Sequence, residues 1–285
     1  MKISSSHLTH TALPDENASK LSVYQKNLDQ CISEVKDALS SERWHTVQFG
    51  HHDARLMPGL IEYANQSTPG LNLMRALSPH VAVGLIQDSL VDGIDSGRII
   101  VNMGSQRFHW SALDFRVLND KISIISFESA SSKYIGPAAL DADLSDQFAE
   151  RMQGRNYSFH TIFMDIQRSP SGCGIFSLVT AKKLHQHHDE VTRLHELNIE
   201  GKIQTTDKDT LLPPELMKHT QSKTRLAEYI DNHPGADLEE INKKNQTLMD
   251  RQKSYAKTTD EKVMITSIHE KRLNLYEKLR TFITP

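Results

Sequence analysis

The residues with the most chemical content lie in DIQRSPSGCGIFSLVTAKKL, residues 165–184, where Cys173 stands between two glycines at the start of a helical pattern. A thiol attacks as its thiolate, a form favoured by a helix N-terminus or a neighbouring imidazole. Position supplies the first, because Ser169, Pro170, Ser171 and Gly172 lead the chain into that helix. The flanking glycines leave room for a substrate to approach the sulfur. The candidate base is His109 in RFHWSALDF, on a predicted strand, and the acid that would orient its ring is Glu128 in SFESA, at the end of the next strand. Asp114 is the alternative acid. Gln167, six residues before the cysteine, can offer its amide to the oxyanion that forms in acyl transfer. The order is His, then Glu 19 residues on, then Cys 45 residues after that. Each residue alone has a plainer reading: a packed histidine, a solvated carboxylate, a structural thiol.

The elements that must position these groups follow from periodicity. SVYQKNLDQCISEVKDAL places Leu28, Cys31, Ile32, Val35 and Leu39 on one helical stripe, which makes Cys31 a core thiol. HVAVGLIQDSLVDGI predicts a second helix ending near Gly97. RIIVNM, FHWSALDF, KISIISFE and FHTIFMDI are short, β-rich and apolar, as strands of a sheet covered on both faces should be. LNDK between the second and third predicts a hairpin turn, which sets His109 and Glu128 on adjacent antiparallel strands. GPAALDADLSDQFAERM inserts a helix with Pro137 in its first turn. Beyond Cys173 the chain reads as helix and polar connector to the end. The class is α+β, a central sheet with helices at both chain ends.

Composition sets the context. The 285 residues are 38% hydrophobic and 24% charged, ordinary for a globular chain, and two cysteines cannot form a disulfide framework. The opening MKISSSHLTHTALPDENASK is polar and rich in Ser and Thr, as expected of a disordered leader or an uncleaved export signal. No apolar run is long enough to span a membrane. Residues 1–200 carry 18 basic and 23 acidic side chains, whereas residues 201–285 carry 15 and 13. That excess is too weak for a nucleic-acid binder, so an anion held by the tail should be small and bound by a local cluster. His185 and His188 in LHQHHDE lack a third partner at ligand spacing, and no metal is expected.

The order and spacing of His, Glu and Cys resemble those of the adenain and ubiquitin-like-protease clan of cysteine proteases. IIVNMG, FHWSALDFRVLNDKISIISFESA, GPAAL, MDIQRSPSGCGIFSLVTAKKL, KHTQSKTRLAEYI, NKKNQTL and HEKRLNLYEKL together look like the YopJ family of type III effector acetyltransferases. The resemblance runs from about residue 40 to the end. It implies a cysteine-protease-like catalytic core of the ubiquitin-like-protease type over 46–195, and a leader or secretion signal over 1–18. It also implies a helical regulatory region formed by 19–45 and 196–285. The family triad falls on His109, Glu128 and Cys173. Two departures are visible: Ser129 where the family usually has Pro, and Gly172 where it commonly has an acidic residue.

What the resemblance implies about activity is acetyl transfer from acetyl-CoA to Ser, Thr or Lys of host signalling kinases of the MAP kinase kinase or IkappaB kinase pathways. The protein would be secreted by type III secretion and act in the host cytoplasm, with no nucleic-acid partner and no membrane anchor. Arg168 beside Gln167 and His109 suits CoA phosphates. The family is activated by inositol hexakisphosphate, and the basic candidates for it are Lys182, Lys183, Lys218, His219, Arg225, Lys243, Lys244, Lys271 and Arg272. The same triad would equally serve a thiol protease, deubiquitinase or deSUMOylase, and a binding-only protein remains the third class.

Overall fold

Asn119 and Asp120 take left-handed φ values of 50° and 63°, the pair of conformations a two-residue type I′ hairpin requires. They join β3 (Trp110–Leu118) to β4 (Lys121–Glu128), and the register runs from Leu118 opposite Lys121 to Ala112 opposite Phe127. The computed structural model describes residues 15–103, 109–204, 208–259 and 262–284. Most of the expected leader lies outside these residues. β1 (Leu73–Ala76), β2 (Ser96–Asn102) and β5 (Tyr157–Phe163) complete a five-stranded sheet in the order β1-β2-β3-β4-β5. The two outer pairings are parallel and the inner ones antiparallel.

Side chains alternate across the strands, and both sets are buried. Ile99, Val101, Leu113, Phe115 and Ile124 pack with α3 (Pro79–Val91) and α4 (Ile135–Arg151). Ile100, Ala112, Ile125, Phe127 and Ile162 face the larger core, built on α2 (Gly50–Ser67) and α5 (Cys173–Gln186). The chain ends meet on that side. α1 (Asp15–Ser40) and α10 (Ser267–Phe282) are tied by Lys36–Glu277 at 2.8 Å and Arg280–Asp29 at 2.7 Å. Between them run α6 (His188–Ile199), α7 (Lys208–Leu211), a 3-10 turn (Pro214–Met217), α8 (Lys223–Asn232) and α9 (Leu248–Ser254). No described helix is long and apolar enough to cross a membrane.

Several local expectations change. α3 ends at Val91, ahead of Gly93 at φ 72°, whereas Gly97 lies inside β2, where a Cβ would sit 2.6 Å from the Phe115 ring. α2 and β1 went unread, because GHHDARLMPG is polar and interrupted by Pro58. The tail is not purely helical: β6 (Ala256–Thr259) and β7 (Lys262–Ile265) form an antiparallel hairpin. The helical run after Cys173 breaks at His187. Cys31 is a buried free thiol in the main core, as its stripe predicts.

Asp114 is fully buried and accepts from Arg98 Nε at 2.8 Å, Arg116 Nε at 3.0 Å and His195 Nε2 at 2.8 Å. His195 Nδ1 accepts from Ser123 Oγ at 2.7 Å, and Ser123 in turn accepts from Asn198 Nδ2 at 2.8 Å. Burial pushes the carboxyl up, but the His195 hydrogen bond and the two guanidinium groups outweigh it, holding Asp114 well below the usual carboxylate range. Its lock on α6 is therefore present above the unfolded pKa of about 3.9 and lost as pH falls. Asp114→Ala, which strands two buried cations, should cost about 3–5 kcal/mol at pH 7 by urea unfolding. The deficit should shrink below about pH 4. A loss under about 1 kcal/mol at pH 7 would contradict this reading of the network.

Candidate active site

Cys173 opens α5, with Gly172 as an N-cap that contributes no side-chain hydrogen bond. The unpaired amides of a first helical turn and the helix dipole both favour negative charge there. Gly172 leaves needed space: a Cβ would stand 2.6 Å from Ser169 Oγ and 3.2 Å from the Phe176 ring. His109 lies one residue before β3 rather than on it. Its Nε2–H donates to Glu128 Oε2 at 2.7 Å, and its ring also hydrogen-bonds the Cys173 side chain. Glu128 is buried at the end of β4, and its Oε1 accepts the Ala130 N–H at 2.8 Å, so both carboxylate oxygens are engaged. The three residues read from spacing therefore meet in one hydrogen-bonded chain. Asp114 takes no part in it.

The loop before the nucleophile is held from several directions. Asp165, at φ 54°, turns the chain out of β5 so that the N–H groups of Ile166 and Gln167 both reach Ser129 O, at 2.8 and 2.9 Å. Ser129 Oγ donates to Gln167 Oε1 at 2.8 Å, which orients the amide, and Gln167 Nε2 donates to Ser169 O at 2.7 Å. One of the two Gln167 amide protons is thereby spent on the loop itself. The Gln221 side chain accepts the N–H groups of Arg168 and Ser169, at 2.7 and 2.9 Å. Arg272 Nη2 donates to Ser171 O at 2.8 Å while its guanidinium pairs with both Asp53 oxygens at 2.9 Å. Tyr276 Oη donates to the same carboxylate at 2.6 Å. Asp53 and Gln221 carry no sequence signal, since each is one polar residue on a helix or turn.

The basic candidates divide. Lys182, Lys183, Lys218 and Lys271 converge with Arg251 and Lys278, which the sequence reading missed. Burial and the neighbouring cations Arg251, Lys183 and Lys271 push Lys218 down to about 8. Burial, with Lys278, Lys182, Lys183 and Arg251, does the same to Lys271, also to about 8. Arg251 Nε is buried without a hydrogen-bond partner. A cavity of about 410 Å³ beside them is lined by Arg251, Tyr255, Ser267 and Lys271, together with the carboxylates Glu270 and Glu277. Three candidates are otherwise committed. Arg225 is buried against Asp209, with Nη1 at 2.8 Å from Oδ2 and a second short bond from Nη2 to Oδ1. His219 is buried, paired through Nδ1 with Ser267 Oγ at 2.6 Å, and burial beside four cations holds it well below the usual range. Arg272 is the clamp on Asp53. Lys243 and Lys244 are exposed on the turn around Asn242, and no described hydrogen bond or ion pair links them to the cluster.

Three cavities flank the nucleophile loop. One of about 200 Å³ reaches Cys173 between Gln48, Asp53, Trp110 and Ser171. A second, of about 370 Å³, is lined by Trp44, His45, Arg168, Ser169, Lys223 and Lys262, with apolar Val263 and Ile265 from the β6–β7 hairpin. His45 Nδ1 is buried there without a partner. An aromatic ring, an apolar wall and several cations suit a nucleotide with phosphates. The third, of about 300 Å³, opens on His109 and Gln167. Arg168 lies between the second and third, its guanidinium held by Asp165 at 2.8 Å.

The imidazole makes a direct test. Burial drives His109 toward neutrality, but its hydrogen bonds to Cys173 and Glu128 outweigh that and push it up to about 10. Since this lies above the unfolded value of about 6.5, the pairing stabilises the fold fully below pH 6.5 and is lost as pH rises through the folded value. Imidazole NMR should show His109 protonated across neutral pH, with a lower midpoint in Glu128→Gln. A wild-type ring titrating near 6.5 would contradict the geometry.

A family model described as YopJ Serine/Threonine acetyltransferase matches residues 28–278. The serine/threonine-protein acetyltransferase YopJ of Yersinia pestis is 35% identical over 274 residues, 94% of either chain. Its counterpart in Yersinia pseudotuberculosis is 34% identical over the same 274 residues, with the same 94% coverage. Among solved structures, a leucine-deletion form of AvrA with IP6 and CoA aligns at TM-score 0.85 and 35% identity, covering 92% of this chain and 99% of that one. HopZ1a in complex with IP6 and CoA aligns at TM-score 0.72 over 93% of this chain and 99% of that one. At 18% identity it speaks for the fold alone. A chain matched along nearly its whole length, in sequence and in fold, belongs to the YopJ serine/threonine acetyltransferase family.

Proposed function

We propose that the protein moves acetyl from acetyl-CoA to Ser or Thr side chains of host signalling kinases through an acetyl-Cys173 intermediate, and that inositol hexakisphosphate activates it. The observation that carries this reading is the imidazole of His109, bonded on one side to Cys173 and on the other to a buried, fully engaged Glu128. Sγ bonds to the thioester carbonyl carbon with its proton already held on the His109 ring. The negative oxygen that results lies by the first turn of α5, where the Cys173 N–H and the second Gln167 amide proton are the donors. When the carbon–sulfur bond to CoA breaks, His109 returns the proton to the departing sulfur. It then removes the proton of the acceptor hydroxyl, whose oxygen displaces Cys173 Sγ. Glu128 holds the ring and balances its charge throughout. Arg168, Lys223 and Lys262 are the phosphate ligands for CoA in the cavity beside Trp44.

The regulatory part comprises residues 19–45 and 196–285, around a catalytic core of 46–195. Lys182, Lys183, Lys218, Arg251, Lys271 and Lys278 fit a compact polyphosphate: they repel one another, all but the exposed Lys278 are partly buried, and Arg251 Nε is without a partner. Bound there, the anion supplies the negative charge that lets α5, carrying Cys173 at its start, close against α10. Delivery by type III secretion into the host cytoplasm belongs to the same reading.

Incubation with acetyl-CoA and inositol hexakisphosphate should leave one acetyl group on Cys173 by intact mass. Cys173→Ala should lose about 10⁴-fold or more of acetyl transfer. A variant keeping more than a few per cent of activity would show that Cys173 is not the nucleophile, whereas peptide hydrolysis without an acetyl adduct would replace this reading with a thiol hydrolase. The activator site is tested separately. Calorimetry should show inositol hexakisphosphate binding with proton uptake near pH 8, because a polyanion restores the charge of Lys218 and Lys271. Salt should weaken it strongly. Replacing Lys182 and Lys183 by Glu should abolish the activator's effect on melting temperature and on acetyl-CoA affinity. Unchanged affinity in that double variant would rule the site out.

A further inference from the structure

The loop that carries Gln167 to Ser171 separates two kinds of surface. Cations and the Trp44 ring lie on one side, in the cavity assigned above to CoA. On the other, His109 opens into a cavity of about 300 Å³ walled by Ala130, Tyr134, Pro137 and Pro170. Tyr134 and Ile135, which start α4, are 55% and 85% exposed. The contact with the catalytic base is immediate: a Cβ on Gly136, the next residue, would stand 3.5 Å from His109 Cγ and 3.7 Å from Nδ1. Single exposed apolar residues are ordinary, but an adjacent aromatic and aliphatic pair at the rim of a catalytic cavity marks a contact surface. Besides His109 itself, the charged side chain in that wall is Arg168, which is paired with Asp165 and assigned above to CoA.

We propose that Tyr134 and Ile135 dock the polypeptide segment flanking the acceptor hydroxyl, and that the enzyme prefers an apolar side chain within two positions of the acetylated Ser or Thr. This rests on the acetyl-Cys173 reading and adds the sequence character of the acceptor. The occupant is set by the reaction, since a hydroxyl that transfers its proton to His109 must enter through this cavity, with its neighbours lying on the rim. In an extended segment, residues two apart share a face and are separated by about 7 Å. Gly136, packed on the imidazole, is the chain neighbour of that exposed pair. A charged neighbour would have to lose its hydration against Pro137, Pro170 and the Tyr134 ring without a partner.

The test uses the full chain with acetyl-CoA and inositol hexakisphosphate, and two synthetic peptides. The peptides are identical except for Leu or Asp two residues from a single Ser. Acetyl on Cys173 is followed by intact mass, and acetyl on peptide by its own mass. The wild type should transfer to the Leu peptide at least about tenfold faster in kcat/KM, the scale on which an apolar contact discriminates. Ile135→Asp and Tyr134→Ala lie on the surface, so melting temperature should hold. Each should lose about tenfold or more of transfer to the Leu peptide per acetyl-Cys173 formed, mainly through KM. Equal use of both peptides by the wild type would overturn the proposal, as would variants that keep the preference, or acetyl-Cys173 that transfers to neither peptide. An enzyme that never carries acetyl on Cys173 would overturn the acyl-enzyme reading instead, and this inference with it.

Discussion

The guanidinium of Arg272 has no exposed surface, and it is bonded at once to Asp53 in α2 and to the carbonyl of Ser171, two residues before the nucleophile. Its carbon lies 5.0 Å from the Phe49 ring centroid, and the Phe49 N–H donates to Ser171 Oγ at 3.0 Å. One side chain near the C-terminus thus ties the entry of α2, the loop before Cys173 and the last helix into a single polar cluster. Two ions removed from water are worth their desolvation only when their remaining hydrogen bonds are satisfied. Here Tyr276 and Ser171 O complete them. The geometry of the nucleophile loop therefore depends on α10 being in place.

That dependence gives physical content to the regulation proposed for the chain end. Lys271 precedes Arg272 on α10, and Lys182 and Lys183 sit on the helix that Cys173 begins. Repulsion among these partly buried cations works against the close approach of α5 and α10, whereas the Arg272–Asp53 pair works for it. An anion that cancels the repulsion shifts the balance toward the clamped loop, and by linkage a clamped loop binds that anion better. The active site and the proposed anion site share α5 and α10, so that proposal requires no long relay.

The sheet contributes rigidity of another kind. Glu128 ends β4 and His109 directly precedes β3, and these strands are joined by a tight hairpin with both faces buried, so the sheet brings the two residues together. The nucleophile, by contrast, comes from a loop whose backbone amides bond to Ser129 O and to the Gln221 side chain. Ser129, which stands where proline is usual in the family, uses its hydroxyl to orient Gln167. Polar groups are thus fixed on one side of the reaction by sheet register and on the other by side-chain clamps. The first arrangement is stiff, while the second depends on the state of the chain ends.

The triad, the strands around it and the hairpin at Asn119 and Asp120 were legible in the sequence because each rests on local physics. Period-two burial, left-handed turn residues and a glycine-flanked cysteine at a helix start are written in contiguous residues. The basic cluster was legible as charge on two helices but not as a set of ligands. Arg225 and Arg272 look like free cations in a one-dimensional reading, and only packing shows them spent on Asp209 and Asp53. Arg251 and Lys278 enter the cluster because α9 and α10 fold back beside α5, contacts that span 68 residues from Lys183 to Arg251 and 96 from Lys182 to Lys278 and that no local pattern encodes. The β6–β7 hairpin stayed hidden because its two four-residue strands alternate weakly and are stabilised by what they cover. Sequence alone determined which residues meet at the candidate site. Tertiary structure decided which charges remain free to bind a ligand, because a buried cation goes to the nearest carboxylate and that neighbour is chosen by the fold.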